Sequence, residues 1–242
     1  MNKELLKINT QKRTGLVDCW NAYMVQGASF SSHGIPKCPT TITEAPNNLI
    51  GFDEAKTIHN KETKAGKSAY HVNSFIHFFI DDQKFDGPRN SIWIHPQKAL
   101  DIIRHFDGII CPDFSTYNDF PDPLRRYNYY RMNAFGYWVS AMGIPVISCL
   151  RWGPTETFDY CFDGNPQNSI LAIGTVASGL RYKPNYLLFE QGLSTAVEVL
   201  HPHTLLVYGS ANYPCFESLK SSGITIISKL SKKNKVYGNG VR

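Results

Sequence analysis

Two short segments of this sequence carry side chains that could perform acid-base chemistry or bind an anion. In GIICPDFSTYND, an apolar run ends at Cys-Pro-Asp-Phe-Ser, which places a carboxylate and a hydroxyl where a strand must stop. In CLRWGPTETFD, a second apolar run ends at Arg-Trp-Gly, and a glutamate follows shortly after. Pro112 has no N–H for a ladder hydrogen bond, so strand pairing ends there and Asp113 is released toward the end of the sheet. The pattern predicts a ligand site built from two strand ends.

Each candidate residue has a chemical role that follows from its type. Asp113 and Glu156 are the candidate catalytic pair, which could act as general acid and base in glycoside or N-glycoside hydrolysis. Arg151 could bind a carboxylate or phosphate through parallel hydrogen bonds, and Trp152 offers a flat face to a sugar ring or a base. Three further candidate substrate-binding residues lie at or just after predicted strand ends: Ser115, Thr175 and Ser210.

These residues also have purely structural interpretations. Asp113 or Ser115 could bond to backbone amides in an Asx-type turn, since the following STYNDFPDP is itself turn-forming. Trp152 could simply cap the core, and Thr155 could cap a short helix. The sequence leaves both interpretations open.

The segment LRRYNYYR, residues 124–131, suggests a different function, nucleic-acid binding. Bases would stack on tyrosines such as Tyr127, while phosphates would meet Arg125, Arg126 and Arg131. Helical spacing directs Tyr130 toward the core, so only part of this cluster would be exposed.

Other well-known motifs do not occur in the chain. The sequence contains no G-x-x-x-x-G-K-[ST], H-E-x-x-H or G-x-S-x-G, and GTVASG lacks the spacing of a dinucleotide fingerprint. The eight histidines form no recognised ligand pair, and the six cysteines include no C-x-x-C. The sequence therefore predicts no metal site and identifies no cofactor.

Composition favours one soluble domain. A chain of 242 residues, 42% hydrophobic and 19% charged, can bury a core of single-domain size. Its net charge of +5 is concentrated at the two ends. No apolar run approaches the roughly 20 residues needed to cross a bilayer, and the first residues are polar, so we expect a cytoplasmic protein with no membrane partner.

The elements that must position these residues follow a repeating pattern. Short apolar runs alternate with amphipathic stretches, which is typical of βα units and a mainly parallel sheet. Seven strands are predicted, at residues 49–52, 75–80, 108–111, 145–150, 170–173, 204–208 and 224–228. Helices are predicted at residues 96–106, 125–143, 189–202 and 215–223. The fold class is α/β, and seven successive units favour an irregular TIM-like barrel over an open doubly wound sheet.

The chain is expected to form a single α/β domain over 1–242. Residues 1–45 are poor in periodicity and rich in Gly, Ser, Pro and Thr toward their end, which predicts an irregular capping segment. Residues 229–242 are predicted to form a basic tail.

The sequence also resembles a known but uncharacterised family. PDFSTYNDFP, YNYYRMNAFGYW, GIPVISCLRWG and FEQGL followed by HPHTLLVYG are similar to the domain of unknown function numbered 4417, which occurs in phages, plasmids and other mobile elements. The resemblance spans roughly residues 45–230 and implies a setting, a cytoplasmic accessory protein of a mobile element, without implying an activity.

Two functions from different classes remain as expectations. The first is an enzyme, of hydrolase or glycosyl-transfer type, that acts on a nucleotide, nucleoside or glycosidic substrate at the C-terminal strand ends. The alternative is a non-catalytic accessory protein that binds nucleic acid or a protein partner through LRRYNYYR and the basic tail.

Overall fold

The structure is a computed structural model that describes residues 20–176 and 178–230. Its strands are β1 (Leu49–Gly51), β2 (Val72–His77), β3 (Phe106–Ile110), β4 (Val146–Ile147), β5 (Ile170–Gly174), β6 (Thr204–Tyr208) and β7 (Thr225–Lys229). Its α-helices are α1 (Phe52–Lys64), α2 (Pro96–Ile103), α3 (Asp122–Ala141), α4 (Lys183–Leu200) and α5 (Pro214–Ser221). Most of the predicted basic tail, and the first part of the predicted capping segment, lie outside the described residues.

The strands form two parallel sheets, so the predicted α/β class is confirmed. One sheet has the order β1-β2-β3-β4 and the other β5-β6-β7, with every pairing parallel. Strand order follows chain order in both sheets. The inner strands are apolar on both faces because helices cover one face and the core fills the other, as expected for parallel sheets.

The preference for a closed TIM-like barrel is not confirmed. The two sheets are joined by a single parallel bridge, between Cys149 and Ala172, and no pairing of β7 with β1 is present in residues 20–176 and 178–230. At that open side, the Lys229 Nζ donates a hydrogen bond of 3.0 Å to the Asn47 carbonyl. The hydrogen bonds between β4 and β5 are few because β4 spans only two residues.

The two sheets face each other across a shared core. The imidazole of His77, at the end of β2, lies 3.9 Å from the ring of Tyr208, at the end of β6. Phe79 packs directly on Gly174, since a Cβ added to that glycine would lie 2.6 Å from the phenyl ring. Side chains from both sheets therefore belong to one hydrophobic cluster.

The described part of the capping segment stabilises the junction between the sheets. It contains one 3-10 turn, Ala22–Val25, and is otherwise irregular. Thr40 Oγ1 accepts a 3.0 Å hydrogen bond from the Ser148 N–H and donates one of 2.8 Å to the Ile170 carbonyl. One hydroxyl thus bridges the strands where ladder hydrogen bonds are scarce.

Helix α3 is the longest helix and the principal support of the candidate site. Pro121 and Pro123 flank its first residue, where a proline is compatible with helical geometry. The helix packs with its middle against the strands, and among its buried residues are Tyr129, Phe135 and Trp138. Within residues 20–176 and 178–230, every helix is too short or too polar to span a lipid bilayer.

Candidate functional site

The ends of β3 and β4 bring the two predicted segments into direct contact. Arg151 Nη1 lies 3.2 Å from Asp113 Oδ2, which forms an ion pair between the two strand ends. Arg151 Nε donates a 3.2 Å hydrogen bond to Thr116 Oγ1, and Thr116 Oγ1 in turn donates to the Trp152 carbonyl at 3.3 Å. Because β3 and β4 are parallel neighbours, their carboxyl ends meet at one edge.

Asp113 lies in an unusual environment for a carboxylate. Its side chain is only 13% exposed, and its Oδ1 atom is buried without a hydrogen-bond partner among the described residues. Burial raises the pKa of Asp113, the nearby charge of Arg151 acts in the opposite direction, and the charge of Asp82 raises the pKa further. The carboxyl therefore accepts a proton more readily than an exposed aspartate does.

Asp82 holds the Cys-Pro-Asp-Phe-Ser corner in place. It lies in a 3-10 turn, Asp82–Lys84, that follows β2. Its carboxylate accepts hydrogen bonds from the Ser115 N–H at 3.0 Å and the Ser115 hydroxyl at 2.9 Å. The amide of Asn128, on α3, donates to the Ser115 carbonyl. Ser115 is thus fully bonded, and its hydroxyl orders the loop that carries Asp113.

The side chains of Glu156 and Trp152 make no described hydrogen bond or ion pair with Asp113. Glu156 is exposed on a short 3-10 turn, Thr155–Thr157, and makes no described hydrogen bond or ion pair. Trp152 packs between the rings of Phe162 and Phe189, at 6.0 and 5.3 Å between ring centroids. The charges that act on Asp113 are those of Arg151 and Asp82, and Glu156 is not among them.

Thr175 and Ser210 meet at the ends of β5 and β6. Thr175 Oγ1 donates a 2.9 Å hydrogen bond to the Ser210 carbonyl, and its backbone N–H donates to the Tyr208 carbonyl at 3.0 Å. The Ser210 hydroxyl accepts from the Asn212 N–H at 3.1 Å. Both residues therefore bond within the strand-end loops.

The predicted nucleic-acid-binding cluster makes its strongest contacts within the protein. Arg131 bonds to Asp86 Oδ2 at 2.7 Å and lies over the ring of Phe114, 3.9 Å from its centroid. Arg125 has a largely buried side chain that donates to the Asn118 carbonyl at 3.2 Å.

The exposed part of that cluster is smaller than its composition suggests. Arg126 pairs with Asp122 at 2.7 Å and covers the ring of Tyr160, 3.8 Å from its centroid. The Tyr127 hydroxyl accepts a hydrogen bond of 2.8 Å from the indole of Trp93. Of the four candidate residues, Arg126 is the one with an exposed side chain, and it is already paired.

A second polar group at the strand ends was not predicted from the sequence. His77 ends β2, is 2% exposed, and contacts Tyr208 across the core. Burial lowers the pKa of His77 to about 4, while the charge of Asp53 opposes this effect. Asp53, in the first turn of α1, forms a 2.7 Å ion pair with Lys84. In the sequence, the signal that could have indicated it was a histidine inside the apolar run at residues 75–80, the predicted second strand.

The described residues contain no cluster of His, Cys, Asp and Glu side chains suited to hold a metal ion. Five cysteines are described, and all are buried free thiols. The closest pair, Cys38 and Cys111, has its sulfur atoms 3.3 Å apart, and burial raises the pKa of Cys38 well above its usual range.

The fold and the strand-end cluster define a class: a parallel-stranded α/β protein with polar side chains gathered at the carboxyl ends of its strands. Within this class, residues 28–229 match the family model described as "Domain of unknown function (DUF4417)". The chain therefore belongs to that family, as the resemblance of its motifs indicated.

Curated relatives come from mycobacteriophages. The chain is 31% identical over 186 residues to the "Gene 1 protein" of Mycobacterium phage D29, covering 76% of this chain and 63% of the relative. It is 34% identical over 139 residues to the "Gene 1 protein" of Mycobacterium phage L5, covering 57% of this chain and 58% of the relative. The chain thus spans about three fifths of these relatives. No solved structure matches it significantly.

Proposed function

We propose that this protein is an enzyme that acts on a nucleotide, nucleoside or glycosidic substrate at the C-terminal ends of its strands. The observation that carries the proposal is the buried, unpartnered Oδ1 atom of Asp113. A buried oxygen without a hydrogen bond costs free energy, on the order of 1–3 kcal/mol. A substrate that donates a hydrogen bond to this oxygen would remove that cost, and it would reach the buried atom through a movement of the loop that carries Asp113.

Asp113 and Arg151 would have different roles in the proposed reaction. Asp113 would exchange a proton with the substrate, a role suited to a carboxyl whose pKa is raised by burial. Arg151 is 29% exposed, and its Nη2 atom makes no described hydrogen bond, so it could bind an anionic group of the substrate. An anion-binding arginine favours a nucleotide over an uncharged nucleoside or glycoside.

The second carboxylate of the proposed chemistry is Asp82 or Glu156. Asp82 is electrostatically coupled to Asp113 but is already bonded to Ser115. Glu156 is exposed and makes no described hydrogen bond or ion pair, so it is free to contact substrate and remains the predicted partner.

We also infer that the two sheets form an irregular barrel that is incomplete on one side. Sequential strand order, the bridge between Cys149 and Ala172, and the hydrogen bond from Lys229 to Asn47 support this arrangement. Buried free thiols favour a reducing compartment and hence the cytoplasm.

A co-purification experiment tests the proposed enzyme. The full chain is purified, denatured, and the small molecules released are analysed by mass spectrometry. We expect a nucleotide or a sugar phosphate from the wild type and at least about tenfold less from Asp113→Asn, because an amide oxygen is a weaker hydrogen-bond acceptor than a carboxylate and cannot exchange a proton. Asp119→Asn, an exposed aspartate in the same loop, is the matched control and should release as much as the wild type.

Thermal denaturation completes the test if nothing is released. Nucleosides, nucleotides and aryl glycosides are added separately, and at least one should raise the Tm of the wild type but not of Asp113→Asn. A wild type that releases no such molecule and is stabilised by none of these classes would contradict the proposal.

A further inference from the structure

An open cleft lies between α1 and α2, away from the strand-end cluster. It encloses about 80 Å³, well below the roughly 300–1,000 Å³ typical of sites for whole small molecules, so it has room for a small group only. Its floor is apolar and formed by Phe52, Ile92, Ala99 and Ile102. The polar residues around it are Lys56, Arg89, Asn90, Ser91, His95 and Lys98. Among the residues that the structure describes, no carboxylate lines the cleft, whereas three permanent cations do.

The three cations have no counterion in the structure. Neither Lys56, Arg89 nor Lys98 forms an ion pair within the described part of the chain, in contrast to five other arginines, which all pair with aspartates. Like charges placed around one concave surface raise the local positive potential and attract anions. The positive potential of the cleft therefore favours the binding of a negatively charged group.

Two neighbouring carboxylates are engaged in other contacts. Asp86, in the loop that carries Arg89, bonds to Arg131 Nη1 and to the Ser91 hydroxyl, both at 2.7 Å. Asp53, on α1, pairs with Lys84 at 2.7 Å.

A hydrogen bond fixes the two sides of the cleft relative to each other. Lys56 Nζ, on α1, donates a hydrogen bond of 2.8 Å to Asn90 Oδ1, in the loop before α2. This contact holds the ammonium group at the rim, beside the loop that carries Arg89. The ammonium keeps further N–H donors for a ligand, since the structure gives it one hydrogen-bond acceptor.

We propose that this cleft binds a phosphate group, with Lys56, Arg89 and Lys98 as its ligands and His95 as an additional hydrogen-bonding group. Arginine and lysine are the side chains that proteins use for phosphate, through charge-assisted hydrogen bonds. The phosphate could belong to a free phosphorylated molecule or to a nucleic-acid backbone. The cleft shares no residue with the Asp113–Arg151 cluster, so the proposal is independent of the proposed enzymatic function.

Binding of defined probes to the full chain tests this site. Inorganic phosphate, deoxyadenosine 5′-monophosphate and deoxyadenosine are titrated by calorimetry, and a short fluorescein-labelled single-stranded oligonucleotide is titrated by anisotropy. The cleft variant is Lys56→Gln/Arg89→Gln/Lys98→Gln. The matched control is Lys61→Gln/Lys64→Gln/Arg181→Gln, which removes the same net charge from exposed residues without described ion pairs.

We expect the monophosphate to bind and the nucleoside not to, and the cleft variant to bind the monophosphate at least about tenfold more weakly. The control variant should change its Kd less than about twofold. Two results together would assign the phosphate to nucleic acid. The oligonucleotide would bind more tightly than the monophosphate, and the slope of its log K against log salt concentration would be smaller by about 2 in the cleft variant than in the wild type. If the oligonucleotide has no such advantage, the source is a free phosphorylated molecule.

Equal weakening in both triple variants would overturn the proposal, because the effect would then be one of net charge. So would equal binding of the nucleoside and its monophosphate. Asp113→Asn separates the two sites: loss of monophosphate binding in this variant alone would assign the phosphate to the strand ends and remove it from the cleft. Circular dichroism of each variant establishes that it is folded.

Discussion

Burial shifts the pKa in opposite directions for two titratable groups at the strand ends, Asp113 and His77. It disfavours the charged form of each, so it raises the pKa of Asp113 and lowers that of His77 to about 4. The charge of Arg151, which lies 3.2 Å away, opposes the rise in the pKa of Asp113. His77 forms no ion pair within the described part of the chain, and the charge of Asp53 offsets only part of the effect of burial, so the imidazole is neutral at pH 7. Its Nδ1 accepts the Phe79 N–H at 3.2 Å. The same edge of the sheets thus holds a carboxyl and an imidazole whose pKa values have moved toward each other.

The depressed pKa of His77 predicts a loss of stability in acid. In the unfolded chain the imidazole becomes charged below about 6.5, whereas in the folded protein it stays neutral until about pH 4. The contribution of the neutral His77 imidazole to the free energy of unfolding is therefore fully present above pH 6.5 and is lost as the pH falls toward 4. At about 1.36 kcal/mol per pKa unit, we expect that contribution to fall by about 3 kcal/mol between pH 7 and pH 4.

Urea denaturation of wild type and His77→Gln over this range measures the effect. The difference between their pH profiles should equal this loss. An NMR titration in which the His77 imidazole protonates near pH 6.5 would contradict the prediction.

At the candidate site, the sequence was sufficient to identify residue types and strand ends, but not which side chains form hydrogen bonds or ion pairs with each other. The Asp113–Arg151 contact follows from two apolar runs that both end in polar residues and from the parallel pairing of those runs. The bonds from Ser115 to Asp82 could not be predicted, because they depend on how the loop after β2 folds back. The buried ion pair of Arg131 with Asp86 could not be predicted for the same reason.

At the scale of elements, the strands were predictable because their apolar runs are short and clearly bounded. All seven predicted strands are present, and β6 has the predicted bounds. Helix α1 was not predicted: its sequence, FDEAKTIHNKETK, buries only Phe52 and Ala55, which leaves almost no hydrophobic periodicity to detect. Charged residues support this helix at its ends, with Asp53 and Glu54 in the first turn and two lysines in the last.

The packing of α3 against β3 depends on a glycine. A Cβ added to Gly136 would lie 2.3 Å from Cys111 Sγ and 2.6 Å from Cys38 Sγ, both in a closely packed core. Gly136→Ala improves helix propensity by up to about 1 kcal/mol but overpacks the core at a cost of roughly 1–3 kcal/mol. We expect a net decrease in the free energy of unfolding of about 1–2 kcal/mol, measured by urea denaturation.

Two further variants identify the cause of that decrease. Cys111→Ala combined with Gly136→Ala should recover part of the lost stability, because it removes the closest sulfur. Ser140→Ala, a partly exposed position on the same helix, should stay within about 0.5 kcal/mol of the wild type. A Gly136→Ala protein as stable as the wild type would show that the two thiols can move aside without cost.

At the scale of the whole molecule, the junction between the sheets decides whether the chain behaves as one domain. Few backbone hydrogen bonds cross from β4 to β5, but Thr40 adds two through its hydroxyl. The core supplies the larger connection, since His77 and Phe79 from the first sheet pack on Tyr208 and Gly174 from the second. The energetic link between the halves is therefore hydrophobic contact rather than strand pairing.

This shared core predicts that the two sheets unfold together. If the sheets were separate domains, each would unfold at its own urea midpoint. With a common core, unfolding of one sheet exposes the apolar surface of the other to water, which costs free energy. We expect urea denaturation followed by tryptophan fluorescence and by far-ultraviolet circular dichroism to give a single coincident transition. Hydrogen exchange read by mass spectrometry should give β2 and β3 the same protection, within about 1 kcal/mol, as β5 and β6. Two separated midpoints, or exchange of β5–β7 while β1–β4 stay protected, would show two independent units and would end the single-domain interpretation.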